Sequence, residues 1–254
     1  VLCDHGSRID DRKGDEQSML VRISYLIGEE SITLGSINPP LLKARSTMAH
    51  CPSELHETEI RWGNYNNTSI IEMCTHVGTH IDLPLHVYQD GLSMDSYDVP
   101  DFVFDRPLFI DCSKGDHEDI TAADLTPYAN QLAESDLLLI HTGFSQYRDP
   151  QYRQKDPGRY PKNQPGVSPE AAQYLVDNFE LRGIGVDVMG IENFFRAKPE
   201  FPAHKILLSK KTVVLEDANL GVLVGKNVQR VYLIPLLFQG AEAMPVTAFA
   251  DVEG

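Results

Sequence analysis

No apolar run in this chain approaches the roughly 18 residues needed to cross a bilayer. Basic residues are also in the minority, with 22 Lys and Arg against 37 Asp and Glu. The first lack argues against a membrane-spanning helix. The second leaves a formal net charge of −15, which argues against nucleic acid and anionic membrane as partners, because both select concentrated positive charge. Cysteine is scarce: Cys3, Cys51, Cys74 and Cys112 stand apart, with no C-x-x-C pair. Such scatter reads as reduced thiols and favours the cytoplasm. Internal repeats and low-complexity linkers are missing too. The opening VLCDHGSRIDDRKGDEQSM is too polar and acidic for a secretory signal, which needs an apolar stretch of about 7–15 residues. Residues 1–19 therefore read as a polar leader or arm, natural or vector-derived, and residues 20–254 as one domain.

What the chain does contain is a series of short apolar, β-rich runs: VRISYLI (21–27), RPLFIDC (106–112), DLLLIHT (136–142), RGIGVDV (182–188), KTVVLE (211–216) and RVYLIP (230–235). Most are nearly continuous in apolar residues, which predicts strands buried on both faces. Helical signals lie between them. ITAADL offers Thr121 as N-cap with Asp124 three residues on, a variant of the capping box. VSPEAAQYLVDNF offers Ser168 as N-cap and Pro169 at the first helical position, with Ala171, Leu175 and Phe179 along one face. Strand, helix, strand recurs from about residue 106, so the expectation is a single α/β domain. The polar, Pro- and Gly-containing stretch 148–166 reads as a binding loop or lid.

The chemistry concentrates in HVGTHIDLPLH, residues 76–86, which holds three of the nine histidines. An amphipathic strand is one reading: His76, His80, Asp82 and His86 would share one face, with Val77, Ile81, Leu83, Leu85 and Val87 on the other. A metal site is the alternative. A straight strand would hold the Cα atoms of His76 and Asp82 roughly 20 Å apart, and a regular helix turns Asp82 away from His76 and His80. The segment must bend to chelate. Gly78 permits such a bend and Pro84 interrupts regular pairing, so the metal reading explains two residues that the strand does not.

This segment resembles H-x-G-T-H-x-D-x-P-x-H, the signature of the cyclase-type metal-dependent hydrolases, which include bacterial kynurenine formamidases and isatin hydrolases. Every fixed position matches. GNYNNTSIIEMCTHVGTH, ESDLLLIHTGFSQY, SPEAAQYLV, IGVDVMGIEN and AHKILLSKKTVVLEDANL extend the likeness over roughly residues 20 to 250. The resemblance implies a swivelling β/β/α fold, with a central barrel-like mixed sheet flanked by helices. It implies one divalent ion held by His76, His80 and Asp82, and a second held by His204 and Glu216 with Asp82 bridging. One or two ions per chain are consistent with it, and Glu216 favours two. The mixed nitrogen and oxygen donors suit zinc or manganese. His86 is the counterpart of the family's catalytic histidine and the candidate general acid/base; a pocket histidine without a proton role is the plainer reading. Phe144, where many relatives have Trp, lines an aryl-substrate pocket or fills the core.

The implied activity is hydrolysis of a C–N bond in a small amide or formamide such as N-formylkynurenine. Isatin-type lactams or lactones follow, and a non-catalytic, metal-stabilised relative is the rival from another class. A homodimer or homotetramer is expected. Asp187 and Glu192 could touch the site, with helix caps or partners of arginine as the plainer reading; Cys74 reads as a packing residue, and His141 as a core or pocket histidine. Phe144 and the DRP of VFDRPLFIDC, where relatives often have Gly-Pro, leave the substrate open.

Overall fold

The computed structural model describes residues 18–28, 31–33, 39–46, 68–197 and 199–253. Residues 1–17 of the proposed leader, with Cys3 and Cys51, lie outside the described residues. The strands are β1 (Ser18–Arg22), β2 (Leu41–Ser46), β3 (Thr68–Glu72), β4 (His80–Asp82), β5 (Val103–Phe104), β6 (Pro107–Asp111) and β7 (Asp119–Ile120). They continue with β8 (Leu137–His141), β9 (Gly166–Val167), β10 (Gly183–Val186), β11 (Val213–Glu216), β12 (Asn227–Pro235) and β13 (Ala243–Glu253).

The main sheet has the order β5-β12-β13-β4-β11-β10-β8-β6, with β1 added against β13. Its two halves differ. β6, β8, β10 and β11 run parallel, whereas β4, β13, β12, β5 and β1 pair antiparallel. β12 approaches β6, so the sheet curls until it nearly closes. The result is a mixed α/β fold with a barrel-like sheet. Among the described residues, no helix is long and apolar enough to cross a membrane.

The parallel half shows why its strands read as unbroken apolar runs. Leu137 and Leu139 of β8, with Val213 and Leu215 of β11, enter the core inside the curled sheet. Leu138, Ile140 and Val214 enter a second core between the sheet and the helices. Alternating side chains thus find apolar surroundings on both faces. At Gly185 of β10, a Cβ would sit 2.8 Å from Leu139 Cδ2 and 3.0 Å from Leu215 Cδ2; the bare backbone makes room for leucines from both neighbours.

The helical signals appear where the sequence places them. Ser168 Oγ accepts from the Ala171 amide at 3.1 Å and opens the helix Pro169–Asn178, which buries Ala171 and Leu175. Asp124 accepts from both the amide and the hydroxyl of Thr121, at 2.7 and 2.8 Å.

Three expectations need correction. VRISYLI is strand only to Arg22. The amides of Ile23 and Ser24 share the Ala248 carbonyl, after which the chain leaves the sheet and Tyr25 donates to Thr79. β1 also begins at Ser18, inside the span read as a leader. Finally, the stretch 148–166 is not a bare loop. It forms the helices Pro150–Arg153 and Arg159–Asn163 and ends in β9. The β13 strand, at the centre of the antiparallel half, went unread.

Candidate metal centre

β4 lies on the seam between the two halves of the sheet. Its register sets His80 opposite Glu216 of β11 and Asp82 opposite Val214. Ile81 and Leu215 point into the inner core, so His80, Asp82 and Glu216 face the helix layer together. A cross-strand pair and its i+2 neighbour therefore supply three donors before any loop is involved.

The remaining donors need bends. Gly78 has φ +63°, and a Cβ there would also press on Ile27 Cγ1 at 3.1 Å. The turn brings the Gly78 carbonyl to 2.9 Å from His80 Nδ1, which places the proton on Nδ1 and frees Nε2. It also returns His76 to the cluster, with its ring centroid 5.1 Å from that of His80 and Nδ1 2.9 Å from Asp82 Oδ1. Thr79 ties the bend down: its hydroxyl donates to the Asp217 carbonyl at 2.7 Å and accepts from the Tyr25 amide at 2.9 Å. After β4, Pro84 starts a 3-10 turn, Pro84–His86. That turn carries His86 back over the site, Nε2 3.9 Å from Asp82 Oδ2.

His204 arrives from the helix Pro202–Leu207. Glu192 accepts from its backbone amide at 3.0 Å and from the Ala203 amide at 3.2 Å, and lies 2.7 Å from His204 Nδ1. One carboxylate thus caps the helix and orients the ring. His204 Nε2 then faces Glu216 Oε1 at 3.2 Å and Asp82 Oδ2 at 3.8 Å. Glu216 Oε1 is held in turn by the Ile191 amide at 2.5 Å. On the other side, Glu242 Oε1 accepts from Thr75 Oγ1 at 2.7 Å and lies 3.3 Å from His76 Nε2. Each of the three imidazoles has one nitrogen engaged away from the centre, the arrangement that orients histidine ligands in metal sites.

The charges are strongly coupled. Burial alone would raise Asp82, but His76 and His80 beside it hold it well below the usual carboxylate range. Burial would likewise depress the histidines. Against it, Asp82 and Glu242 lift His76 to about 9, Asp82 and Glu216 lift His80 well above its ordinary value, and Glu192 and Glu216 lift His204 to about 10. Glu216, raised by burial and by Asp82, falls to about 2 beside the imidazoles of His204 and His80. His86 behaves differently: burial lowers it, and Asp82 offsets this only in part.

Whether a cation suits these residues is tested by what their atoms lack. His80 Nε2 and both carboxylate oxygens of Asp82 are buried without a hydrogen-bond partner; His86 and His204 stop 3.9 and 3.8 Å from Asp82 Oδ2. Buried polar atoms rarely remain so. Donor atoms of His76, His80 and Asp82 lie within 4.8 Å of one another, as do those of Asp82, His86 and His204. Nitrogen and carboxylate oxygen converging on common points fit a divalent ion. Asp82 belongs to both groups.

The other singled-out residues lie elsewhere. Asp187 is fully buried and accepts from Thr142, Gly143 and Ser145, anchoring the turn after β8. His141 Nδ1 lies 3.1 Å from Asp111. Cys74 and Cys112 are free and half-buried. Of the two readings of Phe144, core filling fits the structure: it is 1% exposed in the second core and packs on Tyr147 and Tyr160. The ring that does adjoin the centre is Phe201, 5.7 Å from His204 edge to face. Sequence reasoning missed it, as it missed Glu242; for Glu192 it offered both a helix cap and contact with the site, and the carboxylate does both.

Comparison with known proteins gives the chain its relatives. The family model "Cyclase: Putative cyclase" matches residues 23–193. An uncharacterized protein of Haemophilus influenzae is 34% identical over 118 residues, 46% of this chain and 80% of the relative. A kynurenine formamidase of Bacillus mycoides is 27% identical over 194 residues, covering 75% of this chain and 84% of the relative. Among solved structures, isatin hydrolase A from Labrenzia aggregata, bound to benzyl benzoate, superimposes with a TM-score of 0.75 at 23% identity, covering 93% of this chain and 94% of that one.

Proposed function

Because the chain belongs to the cyclase family, whose fold it shares with metal-dependent hydrolases, we propose that it hydrolyses the C–N bond of a small aryl amide or formamide such as N-formylkynurenine. The observation that carries this reading is the set of unpartnered atoms on His80 and Asp82, ringed by further imidazoles and a second buried carboxylate. The likeness to kynurenine formamidase supports the substrate class. The likeness to isatin hydrolase makes lactam or lactone opening the second reading.

His76, His80 and Asp82 would hold one divalent ion, zinc or manganese; Asp82, His204 and Glu216 would hold a second. Such a cation polarises a carbonyl and lowers the pKa of water towards about 7. The protein's own part is positional and protonic. Gly78, Glu192 and Glu242 fix the imidazole orientations. His86, 31% exposed at the side chain and depressed by burial, is neutral near pH 7. It takes the proton of the attacking water and returns it to the leaving nitrogen. A homodimer or homotetramer belongs to the same proposal. The exposed Leu42 and Ile71, paired across the β2–β3 ribbon, offer apolar surface for it, and light scattering measures the state.

Metal content per chain, followed by turnover of N-formylkynurenine and isatin with and without chelator, tests the assignment. Bound metal with no chelator-sensitive hydrolysis of any amide, lactam or lactone would leave a metal-stabilised, non-catalytic relative. His86→Ala should retain the metal and lose about 10²–10⁴-fold in kcat. Loss of an ion instead would make His86 a ligand.

A further inference from the structure

We propose that Phe201 and Phe194 form an aryl-binding subsite beside His204, and that Phe201 sets the preference for aromatic over aliphatic substrates. This rests on the hydrolase reading and adds the surface that recognises the ring.

The backbone supplies the first observation. Phe201 sits at φ +45°, ψ +58°, a left-handed conformation in which bulky residues are genuine outliers. Glycine or asparagine adopts it more readily. The residue is held there from both sides: its amide donates to the Ala197 carbonyl at 3.0 Å, and its own carbonyl accepts from Lys205 at 3.1 Å. Strain of this kind collects at ligand clamps and active sites.

The ring supplies the second. Phe201 is only half-buried, so core packing does not account for an aromatic residue at a position that disfavours one. Its ring stands edge to face against His204, 5.7 Å between centroids at 86°, and tilts against half-buried Phe194 at 5.7 Å and 39°. These separations lie in the range of favourable aromatic pairs. His204 is also 5.7 Å from His86 on its other flank.

The third observation is contrast. The imidazoles and carboxylates around Asp82 already face one another, and Phe144 is sealed in the core. Because Phe201 adjoins His204 and Phe194 adjoins Phe201, an aryl ring on a carbonyl held beside His204 would meet the two phenylalanines. An alkyl group there would gain contact area but no ring pairing.

The test compares metal-loaded wild type with Phe201→Asn and Phe201→Gly on formanilide and N-butylformamide. Both substitutions suit a left-handed backbone, and a melting temperature at or above wild type shows that the fold is kept. The aryl-to-alkyl ratio of kcat/KM should fall about tenfold, mainly through KM for formanilide. A ratio within about twofold of wild type would overturn the subsite. A second readout needs neither metal nor turnover: saturation-transfer NMR of acetanilide against N-butylacetamide on chelator-treated protein. Ring-proton saturation in wild type and its loss in Phe201→Asn support the subsite, even if no formamide is cleaved and the hydrolase reading falls alone. Cleavage of both formamides with an unchanged ratio and no ring saturation removes the subsite and leaves the hydrolase reading standing.

Discussion

His76, His80 and Asp82 come from one short segment and owe their convergence to a local bend, a glycine at φ +63° with its carbonyl on His80 Nδ1. His204 and Glu216 come from a helix and a strand, and nothing local joins them. They meet because Glu192 grips the helix and ring of His204 while the Ile191 amide holds Glu216. Asp82 faces both sets, and Asp217 links their supports. It follows Glu216, gives its carbonyl to Thr79, and receives Arg148 and Tyr160 on its carboxylate. The comparison teaches that one half of such a centre is built by chain geometry and the other by tertiary carboxylates, so the two should fail separately.

The largest effect is expected where the sets share a residue. Asp82→Ala removes a donor from both and leaves His76, His80 and His204 without their common counter-charge. Metal content should fall from stoichiometric to background, and turnover by on the order of 10³-fold or more. Separate failure comes next. Glu192→Ala should weaken metal binding about 10–100-fold at the His204–Glu216 side only, so a two-site titration would lose one phase and keep the other. Gly78→Ala should do the converse, with a stability cost of about 1–3 kcal/mol from the strained backbone seen by denaturant unfolding. Equal loss of both phases in either variant would dissolve the distinction.

The remaining effect is in pH. In the cation-free protein, His76 and His204 bind protons more tightly folded, at about 9 and about 10, than at the unfolded value near 6.5. Their stabilisation is fully present below pH 6.5 and is lost as pH rises through 9 to 10, by about 1.4 kcal/mol per pH unit for each proton involved. Thermal melts of chelator-treated protein should fall over that window. In loaded protein the cation would already have displaced those protons to solvent, so the same window should be flat.

Legibility followed the same division. The parallel strands β6, β8, β10 and β11 were readable because burial on both faces demands continuous apolar residues. β13 was hidden because AMPVTAFADVE fills half of its buried positions with alanine; crowding from β1, β4 and β12 buries it as much as the bulk of its own side chains. VRISYLI misled for the opposite reason: its apolar residues leave the sheet to brace Thr79 and Gly78.

By itself the sequence determined that residues 76–86 must bend to bring their polar groups together, since glycine, proline and spacing are properties of the chain. Glu242 behind His76, the ring-orienting contact of Glu192 with His204, the burial of Phe144 and the placement of Phe201 were decided only in three dimensions. A side chain's partner across the fold depends on strand register and helix docking, and neither leaves a periodic mark in the amino-acid order.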